Sequence, residues 1–369
     1  MAKVFLAGVK RGSSEKLIGE AVRASVEATT DFSWLSKGDS VFLKPAVNSG
    51  YPYPSTTSPH GIAAMVKLLK DRGAGRVVVG DMSGIEHVKL SPEGTSGSTR
   101  RLMEKCGMAK AASEAGAELH FFEEAGWDAF YEDLPSSNSH WKQGLMLPKI
   151  LQAMDHIILM PRCGRHTLAG STLGLKAAVG YWRTDTRLEY HKDSSSFYEK
   201  AADGNAVSTL RNKQRMVLSV ADKVLTTFGP DKGYVVEPDA GLIISSQSIV
   251  AHDMVSLAWL SLNRLVAPSS ELIWFKDPNT SQFVVDVANR WVVSMLGNMI
   301  DASQAETLER NEVKSIWDDR TLNRAYQVFG GRPVIEFEDA NDLFPADLKR
   351  RLSQMTTFNI DSETKIAGE

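Results

Sequence analysis

The apolar run Ile157-Ile-Leu-Met160, entered from Asp155-His156 and stopped by Pro161, constrains the fold more than any other stretch. A proline cannot donate to a sheet ladder, so the strand ends there, and in an open α/β sheet the space beyond a strand's carboxyl end is where ligands bind. The same unit recurs earlier in the chain. Residues 4–9 read as a strand, and Ser13 or Ser14 then caps a helix over 15–29 whose Leu17, Ile18, Ala21, Val22 and Val26 form one apolar stripe. Lys37-Gly-Asp39 turns into a strand over 40–43 that delivers Lys44 to its end; Pro59 opens a helix closed by Gly73, and a strand over 76–79 delivers Gly80-Asp81. Strands alternating with helices give an α/β fold of mostly parallel sheets flanked by helices, with the strand ends on one face.

What those ends carry is chemistry-bearing. Arg162, Arg165 and His166 follow Pro161, a run of small residues from Ala169 to Gly180 holds the single long cation Lys176, and Arg183, Arg187 and His191 form a third basic cluster. If Ser171 or Thr172 caps a short helix, Lys176 sits on its first turns. Lys44 suits a phosphate or carboxylate, and Asp81 either orients a ligand hydroxyl or serves as a turn residue. The connection after Lys44 is long for an α/β loop and contains Asn48 and Thr57, which makes both candidate ligand contacts. Gly233 permits positive φ and close backbone approach. Asp253, near the start of a helix, either complements the helix dipole or, with Asp222, faces Lys176 as an acid–base group or ion-pair partner. The bland alternatives are a solvated arginine loop and a lysine whose amine reaches water.

Residues 90–97 and 130–143 read as loops, 100–115 and 194–220 as helix, and 242–245 as a strand. Beyond Pro268 helices over 282–296 and 320–329 surround one strand at 333–337. The expected regions are 1–154 and 155–265, both α/β, a helical part over 266–358, and a frayed polar tail over 359–369. At 43% hydrophobic, 24% charged and net charge −3, the chain gives no reason to expect nucleic acid or a membrane surface; local basic clusters point to a small anionic ligand. Two cysteines, Cys106 and Cys163, exclude an iron–sulfur cluster or zinc ribbon and fit a reducing, cytoplasmic compartment. Cys163, between two arginines, is either a reactive thiol or, more simply, buried filler. Trp274, Trp291 and Trp317 fit core packing or a homodimer interface.

These elements together resemble the uncharacterised domain-of-unknown-function family 362. The resemblance rests on the strand, Pro161, His166 and Lys176; on Val41-Phe-Leu-Lys44-Pro45 with Thr57-Ser58-Pro59; on Asp222 through Gly229-Pro230-Asp-Lys-Gly233; and on Ser248-Ile-Val-Ala-His-Asp253. It spans 37–264, with an echo near 318–337. Ala46 and Ala177 stand where the family usually has asparagine, and Gly164-Arg165 where it has Lys-Thr. The stretch is also distantly similar to the nickel-pincer lactate racemases, with Lys176 ten residues after His166. That similarity implies a lactate-racemase-like fold, Lys176 as the covalent anchor of a nickel-pincer nucleotide, His191 as a metal ligand and His166 as a proton-transfer group. No counterpart of the racemases' other catalytic histidine is found near Gly80-Asp81.

Two readings follow. One is an isomerase-like or oxidoreductase-like enzyme that moves a proton or hydride on a small anionic metabolite, with Lys176, His166, His191 and Asp253 catalytic and Lys44, Asn48, Thr57, Asp81, Arg162, Arg165 and Gly233 binding the ligand. The other is a non-catalytic carrier of a phosphorylated cofactor or metal, which needs the basic rim but no converging titratable groups.

Overall fold

The structure, a computed structural model, describes residues 1–358; the tail expected at 359–369 lies outside the described residues. An eight-stranded sheet runs in the order Ile335–Asp339, Ala2–Lys10, Ala240–Ser246, Gln214–Ala221, His156–Met160, Ser40–Pro45, Arg76–Asp81 and Glu118–Phe121. Ala240–Ser246 is antiparallel to both its neighbours, and the other pairs are parallel. The sheet is thus mostly parallel and helices cover both faces, the α/β architecture that the strand–helix alternation predicts.

The period-two alternation of each strand divides its side chains between those layers. Val41, Leu43, Ile158 and Met160 pack with Ile18, Val22, Ile62 and Met65 of the helices Glu15–Thr29 and Pro59–Asp71. Phe42 and Ile157 point the other way, into a cluster with Leu147, Trp182 and Tyr190. Leu159 joins a third cluster built on the helix Ile249–Arg264. Ile157 to Met160 are wholly buried as a result, which is what a central parallel strand requires.

Several local expectations are revised. Residues 194–220 are not all helix: two short helices, Phe197–Asp203 and Ser208–Lys213, precede the strand Gln214–Ala221. The run Met216-Val-Leu-Ser-Val-Ala221 is buried throughout and has no polar face to offer a surface helix. The 90–97 and 130–143 stretches hold paired strands, Val88–Ser91 with Gly94–Gly97 and Phe130–Asp133 with Leu145–Pro148. Gly107, at φ 81°, divides the 100–115 helix into Thr99–Lys105 and Met108–Glu114.

The C-terminal part is rich in helix, with Gln282–Leu296, Met299–Gln304, Arg320–Val328 and Ala346–Thr356. Its strand Ile335–Asp339 nevertheless pairs with Ala2–Lys10, so the stretches 1–154, 155–265 and 266–358 all give strands to one sheet. Trp317 packs against the core, while Trp274 and Trp291 are exposed. No helix among the described residues is long and apolar enough to cross a membrane.

Candidate active site at the carboxyl ends of the strands

Pairing of Pro45 with Met160 and of Leu43 with Val79 brings the ends of three strands side by side. Beyond them lies a cavity of about 550 Å³. Part of its lining is basic, from Lys44, Arg162, His166, Lys176, Arg187 and His191; another part is an apolar wall from Val284, Ala288, Trp291, Val292 and Leu296 of the helix Gln282–Leu296. Four of the predicted residues on separate elements, Lys44, Arg162, His166 and Lys176, therefore meet, and His191 joins them.

Lys176 stands on the four-residue helix Gly174–Ala177. Its cap is not Ser171 or Thr172, which lie in the strand Gly170–Thr172 paired with Gly164–His166. The cap is Asp253, whose two oxygens accept from Gly174 N at 2.8 Å and Leu175 N at 2.7 Å. A Cβ at Gly174 would stand 2.7 Å from Asp253 Oδ1, so glycine lets the carboxylate close on the helix start. Asp253 itself is not in the first turn of its own helix, which begins at Ile249 with Ser248 as N-cap. Burial lowers the Lys176 amine from the ordinary lysine range to about 7, and the like charges of Arg187 and Arg162 act in the same direction. Its Nζ lies 5.7 Å from the centre of the Tyr190 ring.

Both imidazoles are held neutral. Burial and then the Lys176 charge push His166 well below the usual histidine range, and Leu168 N and Ala169 N donate to its Nδ1 at 3.1 and 3.3 Å. With Nδ1 accepting, the neutral ring carries its proton on Nε2. Burial lowers His191 to about 3, with Lys176 adding to the shift. Its tautomer is the opposite one. Asn289 Nδ2 donates to His191 O at 2.9 Å and to Ser194 Oγ at 3.1 Å, which turns Asn289 Oδ1 toward His191 Nδ1 at 2.8 Å. His191 therefore donates from Nδ1 and keeps an unprotonated Nε2, the form that ligates a metal or accepts a proton. Asn289→Leu should remove this orientation; a two-dimensional ¹⁵N spectrum of the histidine rings would show His191 changing from the Nδ1–H tautomer to a mixture.

The cations differ in how far they are satisfied. Lys44 is paired with Asp81 at 2.7 Å and donates to Pro45 O at 2.7 Å; burial lowers its pKa and Asp81 opposes the shift. Asp81 is filled further by Val47 N and Met82 N, both at 2.8 Å. A Cβ at Gly180 would collide with Lys44 Nζ and Asp81 Oδ1. Gly180→Ala should accordingly cost about 1–3 kcal/mol as an overpacked site, read as a lowered denaturant midpoint. Arg162 donates to the carbonyls of Ser55 and Pro230, and Arg187 to those of Ser83 at 2.7 Å and Met82 at 2.9 Å. Burial lowers both guanidiniums to about 10, and the Nε of each is buried without a partner.

Several other predicted residues sit outside the cavity lining, although Asp81 is part of it. Arg165 is turned away, pairing with Asp277 at 3.1 Å and bonding to Asn279 and Gly170 O. Thr57 bridges two strand ends, accepting from Ala46 N and donating to Met160 O. Gly233, at φ 147°, closes a turn where a Cβ would meet the Thr227 carbonyl. Asp222 accepts from the Tyr53 hydroxyl. Cys163 is buried filler, its thiol pushed up by burial. Asn48 does line the cavity and donates to Asp231 Oδ1 at 3.0 Å. Arg187 was legible only as one member of a basic cluster. Asn289 and the meeting of Glu86 and His87 with Asp231 in the cavity lining had no sequence signal, because the partners lie far apart in the chain.

None of the curated proteins matches the chain. Among solved structures it is similar to a Thermotoga maritima protein from the Northeast Structural Genomics Consortium, at 14% identity and TM-score 0.43, over 70% of this chain and 60% of that one. It is also similar to the lactate racemase apoprotein of Thermoanaerobacterium thermosaccharolyticum, at 13% identity and TM-score 0.39, over 60% of this chain and 50% of that one. The chain thus spans about 60% of the first structure's length and 50% of the second's. The family model described as Domain of unknown function (DUF362) matches residues 41–258, which include the strand ends, Lys176, His166, His191 and Asp253, and the chain belongs to that family.

Proposed function

We propose that the protein is an enzyme that binds a small anionic metabolite or cofactor over Lys176 and moves a proton or hydride at a carbon centre. The observation that carries this is one cavity holding an amine with pKa near 7 beside two neutral imidazoles of opposite tautomer. An amine whose pKa is driven toward neutrality by burial and like charge is suited to nucleophilic and acid–base work, and imidazoles kept neutral beside it offer an N–H donor and a free lone pair. Arg162 and Arg187 would hold carboxylate or phosphate oxygens, Lys176 would attack or anchor an electrophilic carbon, and His166 would donate from Nε2. The apolar wall offers water no hydrogen-bond partner on that face.

The donor set also fits the group that the racemase resemblance implies. Lys176 supplies a free amine for a covalent anchor, and His191 Nε2 an imidazole lone pair for a metal. A nickel-pincer nucleotide held there would supply a hydride acceptor. The second reading, a carrier of a phosphorylated cofactor, is favoured by the guanidiniums of Arg162 and Arg187 in the cavity lining, whose positive charge suits phosphate whether or not turnover follows.

Metal analysis and intact mass on protein from its native host separate these readings. Nickel with an adduct on Lys176 supports the enzyme; a released phosphorylated compound without turnover supports the carrier. If Lys176→Ala leaves ligand content and activity unchanged, the site is misplaced.

A further inference from the structure

We propose that Glu86, His87 and Asp231 bind one divalent first-row transition-metal ion at the mouth of the cavity, a site separate from His191. One ligand atom from each of the three residues lies within 4.8 Å of the other two. Three donors around one ion, at bond lengths of about 2.0–2.2 Å, stand about 3–4 Å apart. His87 Nε2 and Asp231 Oδ2 already have such a separation, and Glu86 is an exposed side chain free to close the remaining gap.

An independent observation points to a ligand. His87 Nε2 is shielded from solvent yet has no hydrogen-bond partner among the described residues, and it stands 3.6 Å from Asp231 Oδ2. Native proteins rarely leave a shielded ring nitrogen unpaired, and a cation between the two would satisfy both. Asp231 is already oriented for this: Asn48 Nδ2 donates to its Oδ1 at 3.0 Å, leaving Oδ2 toward His87. Asn48 can approach because residue 84 is glycine, where a Cβ would collide with the Asn48 amide. Such an outer hydrogen bond fixes a ligating carboxylate.

The cluster joins two segments distant in sequence. Glu86 and His87 precede the strand Val88–Ser91, and Asp231 belongs to the loop that follows Leu225, so an ion would pin the two sides of the cavity mouth together. One imidazole and two carboxylates, with no thiolate, suit Zn²⁺, Mn²⁺, Co²⁺ or Ni²⁺. Three protein ligands leave positions open to water or to an anionic group in the cavity. The inference does not depend on the reaction proposed at Lys176.

The test is equilibrium dialysis of chelator-stripped protein against Zn²⁺, with bound metal counted by emission spectrometry, for the wild type, His87→Ala, Asp231→Asn, Glu86→Gln and His191→Ala. Expected is one equivalent at this site, kept by His191→Ala and weakened at least about tenfold by each of the first three variants. Glu86→Gln changes an exposed side chain, and circular dichroism checks that all variants fold. A wild type that binds no Zn²⁺, a His87→Ala protein that binds as the wild type does, or loss confined to His191→Ala would each overturn the proposal.

Discussion

At pH 7 the anionic amine reagent trinitrobenzenesulfonate should modify Lys176 ahead of every other lysine, with a rate that rises through a midpoint near pH 7. Only the neutral amine reacts. A lysine at its ordinary pKa is about three parts in ten thousand neutral at pH 7, whereas one at about 7 is half neutral, a difference of roughly 10³ in reactive fraction. The sign is fixed by the direction of the shift: burial and the guanidiniums of Arg187 and Arg162 disfavour the ammonium, so the proton leaves earlier as pH rises. Labelling should be weak at pH 6 and nearly complete in rate by pH 8. Arg187→Gln removes one like charge and should move the midpoint upward; Lys176→Ala should abolish the fast phase. Peptide mapping that places the fast-reacting amine elsewhere, or a Lys176 midpoint near 10, would remove the amine from the proposed chemistry.

The mostly parallel α/β class and the strand ends at Lys44, Asp81 and Pro161 were legible in the sequence because each rests on local chemistry: apolar runs, the stop at Pro161, the turn at Lys37-Gly-Asp39. That Lys44, Arg162, His166 and Lys176 meet followed from parallel topology. What each polar group does there was not legible, since it depends on a partner from elsewhere. Arg165 looks identical to Arg162 in sequence, yet Asp277, more than a hundred positions later, draws it out of the cavity. Asp81 is absorbed by Lys44, and the tautomer of His191 is set by Asn289. The apolar wall was hidden for a similar reason: Val284, Ala288 and Val292 read as an ordinary helix stripe until the helix is placed over the strand ends. The misread segment 214–221 shows the limit of periodicity itself, because a short run buried on both faces has no period to detect.

Asp253→Ala should lower stability by roughly 3–5 kcal/mol and degrade the fast labelling of Lys176, although Asp253 does not line the main cavity. Among the described residues the carboxylate is the sole partner of two buried backbone donors at the start of the Lys176 helix, and His252 Nδ1 lies 2.8 Å from the same group. Each buried donor left unpaired costs about 1–3 kcal/mol, and donors facing a charged acceptor fall toward the upper end. A four-residue helix has no propensity to spare, so without its cap the segment carrying Lys176 loses the geometry that buries the amine. The midpoint of labelling should then move from about 7 toward the ordinary lysine value. Asp253→Asn separates this positioning role from direct catalysis. Asparagine keeps one carbonyl acceptor and turns an amide N–H₂ at the second backbone donor, so it should fall between wild type and alanine in both denaturant midpoint and labelling. A catalytic carboxylate would behave differently: Asp253→Asn would fold with wild-type stability and an unchanged Lys176 midpoint while activity disappeared. Measuring the unfolding curve and the labelling profile on the same two variants decides between those roles without knowledge of the substrate.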